Sequence, residues 1–519
     1  MMIKSWFISA GLMLVAGYTS AQHQNIMISD QNFPNEPSIA INPKNTQELV
    51  AGSNIDNYYY STDGGLTWNE NTLTSTYGVW GDPVIACDTT GSFYFFHLSN
   101  PPSGNWIDRI VCQRAATPGS PFTTGTFTGL NGNKAQDKHW VAINKNTNTI
   151  YMTWTEFDQY GSSAPSDSSR ILFSKSADQG QTWSTPLKIN QVSGDCIDED
   201  NTTEGAVPAI GPNGEVYVSW VGPAGIVFDR STDGGATWLN QDIPVTTVPG
   251  GWDFAIPGIY RANGLPVTAC DVSGGPHNGT IYINWSDQRN GVNNTDIWLV
   301  KSTDGGTTWS APIKVNDDNS NRQQFFTWMT IDQTTGYLWF VFYDRRNYND
   351  NRTDVYMAVS KDGGATFQNF MVSATPFIPD PGVFFGDYTN ITASNNVVRP
   401  IWTRLDINQL SVWTAIVNTT IVGVDNPVSD QGSLFMLEQN YPNPFHAQTT
   451  FSFKLHQPEI VTLSVYDFTG RCVAVPVDHE LLPYGKHVRQ FDQVLASGTY
   501  FYEIKAGEKI MRRKMLVIE

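Results

Sequence analysis

The chain has 519 residues, 40% of them hydrophobic and 15% charged, which is enough for more than one domain with a sizeable core. Its net charge of −18 argues against a nucleic-acid partner, because phosphate binding needs clustered lysine and arginine. Aromatic residues make up 13%, glycine and proline are plentiful, and long stretches with helical periodicity are absent. We therefore predict an all-β fold.

The first 21 residues, "MMIKSWFISAGLMLVAGYTSA", have the pattern of a secretory signal. One lysine precedes an apolar run, and the small residues "TSA" mark a cleavage site after Ala21. The run is too short to stay in a membrane, and no later run approaches the length of a span. We predict a secreted monomer with no membrane span.

The next 390 or so residues repeat one phrase: an apolar strand, a short polar turn and an aromatic-rich strand. It occurs seven times between residues 30 and 422, for example as "DPVIACDTTGSFYFFHL" and "AVPAIGPNGEVYVSW". Repeats of this size, each a few antiparallel strands, indicate a β-propeller. We predict seven blades over residues 30–422. The alternative is a six-bladed ring in which the last phrase completes the first blade.

An octapeptide such as "STDGGATW" follows five of these phrases. Its aspartate can accept backbone N–H bonds in a tight turn, its glycines permit positive φ, and its final aromatic ring can pack on the sheet. We predict that it joins the third and fourth strands of a blade. A decayed sixth copy is expected in "RAATPGSPF", residues 114–122. The five structural aspartates are Asp63, Asp178, Asp233, Asp304 and Asp362.

This octapeptide matches the Asp-box, or bacterial neuraminidase repeat, and residues 30–422 resemble the sialidase superfamily of propellers. The resemblance implies the propeller fold. Asp-boxes also occur in secreted propellers that are not sialidases, so the chemistry must be judged from the site.

The five cysteines have neither CxxC spacing nor the density of a disulfide scaffold. Cys87 and Cys270 stand in matching phrases, "IACD" and "TACD", which indicates small buried side chains. We expect mostly free, buried thiols. The alternative is a Cys87–Cys112 bridge, which export would permit.

Residues 423–433 form a polar linker, and a different pattern follows it. Strands alternate with glycine and proline turns over residues 434–519, which predicts a small Ig-like β-sandwich. The blocks "NYPNPF" from Asn440 and "SGTYFY" from Ser497 resemble the C-terminal sorting domain of the bacterial type IX secretion system. The resemblance implies export through the periplasm to the cell surface or medium, with the secretion machinery as a partner.

If each blade is a meander, the loops opposite the Asp-boxes open on one face, where propellers bind ligands. The side chains expected there suit an acidic or hydroxyl-rich sugar. They are Glu36, Asp82, His139, Glu204 and Tyr388 at strand starts, and Arg289, Arg345, Arg346 and Arg404 in loops. Each has a structural alternative: ion pairs within a blade for the arginines, capping for Glu36 and Asp82, and core packing for His139.

The sialidase resemblance implies a tyrosine nucleophile paired with a glutamate, an aspartate acid/base and three arginines for the sugar carboxylate. Glu204 resembles that glutamate, Tyr388 in "FFGDYTNI" is the candidate for the tyrosine, and Asp387 beside it is a further candidate catalytic residue. Two expected arginines are absent from "NFPNEPSIAI" and "VSWVGPAG". We therefore predict a cell-surface propeller that binds extracellular glycans. The alternatives are an exo-α-sialidase or related glycoside hydrolase, and a polysaccharide lyase with Tyr388 or His139 as base.

The loop "SGDCIDEDNTTEG" carries three acids, Asp195, Asp198 and Asp200, whose carboxylates can bind calcium. The loop lacks the spacing of an EF-hand. We expect no required cofactor, with calcium as the candidate ion.

Overall fold

The computed structural model describes residues 23–419, 435–437, 439–455, 458–467, 470–507 and 509–518. The predicted signal peptide, 1–21, and linker, 423–433, lie outside these ranges. None of the described residues lies in an α-helix, so none belongs to a helix able to cross a membrane. The chain divides into two compact units, Met1–Gly423 and Val424–Glu519. The all-β prediction is confirmed.

The first unit opens with β1 (Gln24–Ser29) and contains seven four-stranded antiparallel sheets. The first three are β2–β5 (Ser38–Asn42, Asn45–Ser53, Asn57–Ser61, Asn69–Thr72), β6–β9 (Val84–Cys87, Phe93–Leu98, Ile110–Ala115, Thr126–Thr128) and β10–β13 (Ala135–Ile143, Ile150–Phe157, Ser169–Ser176, Leu187–Lys188). The fourth is β14–β17 (Glu204–Ile210, Val216–Gly222, Gly225–Ser231, Ile243–Thr246), followed by a hairpin, β18–β19 (Asp253–Phe254, Ala262–Asn263). The fifth and sixth are β20–β23 (Val267–Cys270, Ile281–Asp287, Asp296–Ser302, Ile313–Lys314) and β24–β27 (Gln324–Asp332, Tyr337–Asp344, Asp354–Ser360, Gln368–Met371).

The seventh sheet joins the two ends of this unit. It contains β28–β30 (Asn390–Ser394, Val397–Asp406, Gln409–Ile416) with β1 as its outer strand. Gln24 pairs with Ile416 and Met27 with Trp413. The predicted start at residue 30 misses β1, because "QNIMIS" lies before the first repeated phrase.

The first strands of successive sheets contact one another, and β28 contacts β2, so the contacts form a closed cycle. The aromatic-rich second strands supply the largest core side chains. One tryptophan with less than 2% exposure lies on the second strand of each sheet from the third to the seventh. These residues are Trp154, Trp220, Trp285, Trp339 and Trp402. Large buried rings at a repeated position account for the aromatic bias of the phrase.

The octapeptides lie between third and fourth strands, as predicted. In the first copy, Ser61 Oγ donates to Asp63 Oδ1 at 2.8 Å and accepts from the Gly65 amide at 2.9 Å. The Thr67 amide donates to the same Asp63 oxygen at 2.9 Å. The serine–aspartate and glycine–serine bonds recur in the other four copies. The expected decayed copy is a turn in which the Ser120 amide donates to Thr117 O.

All five cysteines are free, so the Cys87–Cys112 bridge is not formed. Cys112, Cys196 and Cys270 are buried, Cys87 is half-buried and Cys472 is exposed. The expectation of mostly free, buried thiols is confirmed.

The second unit has two antiparallel sheets. Its strands are β31–β37 (Phe435–Leu437, Thr449–Leu455, Glu459–Asp467, Cys472–Leu482, Gly485–Phe491, Gly498–Ala506, Lys509–Val517), in the orders β31-β32-β35 and β34-β33-β36-β37. Side chains of both sheets, among them Phe453 and Tyr502, form one core. Two sheets around one core is the arrangement of a sandwich, and the Ig-like class remains a prediction.

Candidate functional site

Antiparallel order places the beginning of each first strand and the loop between second and third strands at the same end of a sheet. We call this end the entry face. Six of the seven first strands have a residue with positive φ at a matching position, either inside the strand or just before it. These residues are Glu36, Asp82, Lys138, Gly205, Phe326 and Gly386. Four of them carry a β-carbon that disfavours this conformation, and such residues cluster at functional sites.

A buried ion-pair cluster lies at the entry face. Lys138 Nζ is 2.7 Å from Asp387 Oδ2 and 3.6 Å from Asp82 Oδ2. Arg261 Nε donates to Asp387 Oδ1 at 2.8 Å, and Arg261 Nη2 also contacts Asp387. Burial alone would raise the pKa of Asp387, but Lys138 and Arg261 hold it well below its usual range. Asp387, a predicted catalytic residue, is therefore an ionised partner of two cations.

Glu36 and Asp82 border this cluster. Glu36 Oε1 accepts from the Asp387 amide at 3.1 Å, and Glu36 Oε2 accepts from Asn54 Nδ2. Burial, and then the charge of Asp82, raise the pKa of Glu36 well above its ordinary value. The pKa of Asp82 shifts the other way. Burial alone would raise it, but the charge of Lys138 lowers it below its ordinary value. The pKa values of these two neighbouring acids are thus shifted in opposite directions.

Three further acids gather around Tyr160. Tyr160 donates from its hydroxyl to Asp198 Oδ2 at 2.6 Å, and Arg261 Nη1 reaches the same oxygen at 3.3 Å. Burial raises the pKa of Asp137 to about 8. Burial, followed by the charges of Asp198 and Asp137, raises the pKa of Glu204 well above its usual range. Glu204 is fully buried, and neither of its carboxyl oxygens has a hydrogen-bond partner among the described residues.

Aromatic rings fill the centre of the entry face. The ring centroids of Trp140 and Trp328, which come from the third and sixth sheets, are 4.1 Å apart, and Tyr388 packs 5.2 Å from Trp140. Burial raises the pKa of Tyr388 well above its usual range, and its hydroxyl has no partner in the described part of the chain. The cavity between these rings and Lys138 has a volume of about 20 Å³. It holds about one water molecule, not a sugar ring.

Of the four arginines expected in loops, three lie there, but Arg404 lies near the end of β29 and pairs with Ser411 of β30. Each of the four already contacts other residues of the protein. Arg289 makes a bidentate contact with Asp287 at 2.6–3.0 Å, and Arg346 contacts Asp344 at 2.7 Å. Arg404 pairs with Asp406 and donates to Thr375 O. Buried Arg345 donates to Pro257 O at 2.7 Å and Thr353 Oγ1 at 3.0 Å. The geometry matches the structural alternative, ion pairs within a blade, for Arg289, Arg346 and Arg404.

His139 is buried, and both of its ring nitrogens lack partners within the described ranges. Burial lowers its pKa to about 4, so the imidazole is neutral at pH 7. This environment is that of a packed core histidine.

The three predicted calcium ligands each accept a hydrogen bond from a different residue. Asp195 accepts from Thr202 Oγ1 at 2.8 Å, Asp198 from Tyr160, and Asp200 from the Asp253 amide at 2.8 Å. The described residues contain no group of three or more acids, histidines or cysteines placed to hold a metal ion. Calcium binding stays an untested prediction.

Exposed aromatic rings surround the cluster. Trp80 and Trp106 are 40% and 41% exposed, with ring centroids 5.9 Å apart, and Tyr160 packs 5.5 Å from Trp106. On another side, Tyr260 packs 6.0 Å from Phe384, whose ring lies under Arg261. Adjoining exposed rings form a contiguous apolar patch, and large patches of this kind mark ligand or partner sites.

Sequence reasoning missed Lys138 and Asp137, which stand directly before His139, and assigned no role to Arg261. The bulge between Asp137 and Trp140 shifts the register of β10 against β11, so Lys138 takes the place expected for His139. In the sequence, the residues around Lys138 read as one uninterrupted strand, so nothing in their pattern indicates the bulge.

Family models match two parts of the chain. "BNR/Asp-box repeat" matches residues 59–70, and "Secretion system C-terminal sorting domain" matches residues 439–519. The chain thus carries Asp-box repeats and a type IX sorting domain, which directs export to the cell surface or medium. No curated protein matches the chain.

Solved structures similar to the chain include sialidases and related enzymes. A Hadza microbial sialidase is 13% identical over 72% of this chain and 74% of its own, with a TM-score of 0.41. Trypanosoma rangeli sialidase with 2,3-difluorosialic acid is 11% identical over 87% and 85%, with a TM-score of 0.40. The α-L-arabinofuranosidase of Fusarium graminearum is 12% identical over 77% and 99%, with a TM-score of 0.44.

Proposed function

We propose that this protein is an exported, cell-surface glycan-binding protein that does not hydrolyse sialosides. The observation that carries the proposal is the state of Asp387: it accepts from Arg261 and pairs with Lys138 at 2.7 Å. An acid/base residue must exchange a proton during each turnover. A carboxylate held ionised by two cations is poorly suited to do so.

The arginines support the same proposal. A sugar carboxylate needs guanidinium groups that can turn both N–H donors towards it. Arg289, Arg346 and Arg404 already pair with protein carboxylates, and Arg345 is 1% exposed. Freeing any of the three paired arginines would leave its aspartate without its charged partner.

The expected nucleophile lacks an activated environment. A tyrosine attacks well only when a neighbouring base takes its proton. Burial raises the pKa of Tyr388, and no hydrogen bond joins its hydroxyl to Glu204. The adjoining cavity of about 20 Å³ is also too small for a pyranose.

Ligand binding is supported by the exposed rings of the entry face, and extracellular ligands by the sorting domain. The proposal also covers the fold of the two units. We infer that the seven sheets are blades of one closed propeller, supported by the cycle of contacts between first strands, and that the second unit is Ig-like.

The test compares cleavage with binding on the purified, exported chain. We expect no sialic acid release from 3′- or 6′-sialyllactose, no unsaturated product from polyuronates, and saturable binding to immobilised oligosaccharides. Release of free sialic acid would establish the hydrolase alternative. An unsaturated product, detected by its ultraviolet absorbance, would establish the lyase alternative. A chain that binds no glycan of any class would refute the proposal.

A further inference from the structure

Trp80, Trp106 and Tyr160 form a continuous row of rings on the entry face, and we call it the aromatic row. Neighbouring rings meet edge to face, at 86° and 84°. The row crosses from the second sheet to the third, because Trp80 precedes β6, Trp106 follows β7 and Tyr160 follows β11. Two of its members keep about two fifths of their surface exposed.

The backbone holds these rings in place. The Trp80 amide donates to Leu98 O at 2.9 Å, and the Ile107 amide, next to Trp106, donates to Ser99 O at 2.9 Å. Tyr160 is fixed through its hydroxyl to Asp198 at 2.6 Å and through its ring to Phe157, 5.0 Å away. A surface that is ordered before binding loses little conformational entropy when a ligand arrives.

The chemistry of the row suits a sugar ring. One face of a pyranose presents C–H groups that pack on an indole, while its hydroxyls need hydrogen-bond partners at the edge. Exposed amides lie beside Trp106: Asn105 Nδ2 donates to Asn133 Oδ1 at 2.8 Å, which leaves further donor and acceptor positions facing solvent.

The charges nearby disfavour an acidic sugar. Asp198 accepts a hydrogen bond from the Tyr160 hydroxyl at 2.6 Å, and the next two residues, Glu199 and Asp200, are exposed acids. Asp200 and Glu199 lie close to Asp253, next to Asp198. The two cations of the cluster, Lys138 and Arg261, are already paired with Asp387. A surface with several carboxylates and no free cation in this cluster repels an anionic ligand.

We propose that the aromatic row is a binding platform for neutral oligosaccharides and that it excludes sialylated and uronate sugars. This inference rests on the proposed function and adds the class of glycan and the residues that hold it. The ligand lies across the rings of Trp80 and Trp106, outside the filled centre of the entry face.

Titration calorimetry on the full exported chain tests the platform, with cellohexaose, maltohexaose and mannohexaose as neutral probes. We expect at least one of them to bind, and Trp106→Ala to weaken that binding roughly tenfold or more. Trp106→Phe keeps an apolar ring and should retain most of the affinity. Leu66→Ala, which removes an exposed apolar side chain from the Asp-box turn at the opposite end of its sheet, is a matched control without effect.

The acidic probes are 3′-sialyllactose and oligogalacturonate, measured at low and high salt. We expect no binding at low salt, because repulsion is least screened there. Tighter binding of an acidic probe than of any neutral one would overturn the inference and leave glycan binding intact. Unchanged affinity in both Trp106→Ala and Trp80→Ala/Trp106→Ala would also overturn it. Absence of binding to every probe would count against the proposed function itself.

Discussion

Lys138 and Asp387 lie 2.7 Å apart, Nζ to Oδ2, although 249 residues separate them in the chain. Lys138 lies in β10, the first strand of the third sheet, and Asp387 precedes β28, the first strand of the seventh. Their ion pair therefore joins distant parts of the cycle of sheets. Because the pairing keeps the Asp387 carboxylate ionised, Asp387 is poorly suited to exchange a proton.

The first prediction concerns this pair. Lys138→Met leaves Asp387 and Asp82 buried without their lysine, and it should lower the free energy of unfolding by about 3–5 kcal/mol. Urea unfolding followed by tryptophan fluorescence measures it, because every tryptophan after Trp6 lies in the first unit. The double variant Lys138→Met/Asp387→Asn should recover part of the loss. No difference between the single and double variants would contradict the coupling.

The second prediction concerns pH. The folded-state pKa of Asp137, about 8, lies above that of an exposed aspartate, so the folded chain binds more protons than the unfolded chain up to that pH. The free energy of unfolding should therefore fall as pH rises from 6.5 to 8, where buried histidines such as His139 are already neutral. Asp137→Asn should reduce this slope by up to about 1.4 kcal/mol per pH unit.

Part of the slope should survive in Asp137→Asn, because burial also raises the pKa of Asp229, to about 7. Asp350→Asn is the control, since Asp350 is exposed and pairs with Arg352. An identical slope in the wild type and in Asp137→Asn would show that Asp137 is ionised in the folded chain.

The third prediction separates the buried and exposed parts of an Asp-box. Ser231→Ala leaves the buried Gly235 amide without its acceptor, 2.8 Å away, and should cost about 1–3 kcal/mol. Thr237→Ala in the same turn removes an exposed hydroxyl and should cost less. Thermal unfolding of both variants gives the comparison. An equal loss in the two variants would mean that the serine has no special role.

The fourth prediction concerns Glu204. Because its side chain is fully buried and lacks partners among the described residues, Glu204→Gln should leave oligosaccharide affinity within about twofold. Calorimetry with the best neutral probe measures this. Were Glu204 the general base of a hydrolase, the same change would cut turnover by roughly 10²- to 10⁴-fold with binding retained.

The fifth prediction concerns the sorting domain. A chain that ends at residue 429 lacks all of the matched residues 439–519 and should stay inside the cell envelope. Its tryptophan fluorescence transition should resemble that of the full chain, because the first compact unit ends at Gly423. Cell-surface labelling and fractionation measure the location. Arrival of the shortened chain at the surface would show that the tail is dispensable for export.

Much of the fold follows from sequence patterns. The Asp-box turns and the aromatic second strands are local, so the residues that define them lie within a few positions of one another. β1 was missed because its partner β30 is almost 400 residues away and nothing local marks the pairing. Pairing between such distant strands leaves no periodic pattern of hydrophobic residues in the sequence that could reveal it.

The site was harder to predict than the fold. Its face and several members, including Glu36, Asp82, Glu204 and Asp387, were found from their positions before first strands. Their protonation and pairing depend on distances across the cycle of sheets, such as that from Lys138 to Asp387, and on burial. Arg289, Arg345 and Arg346 lie in loops as expected, but Arg404 lies in β29, and the partner of each arginine depends on the three-dimensional arrangement.

The position of β1 affects how the first unit forms. Six sheets can pair from neighbouring strands as soon as those strands exist, but the seventh needs Gln24 to meet Ile416. Closing so long a loop has the largest entropic cost of any strand pairing in this unit, and such contacts slow folding. Until closure, β30 presents an unpaired edge that can add a strand from another molecule. The interval between synthesis of β30 and its pairing with β1 is therefore the period in which the chain is most prone to aggregate.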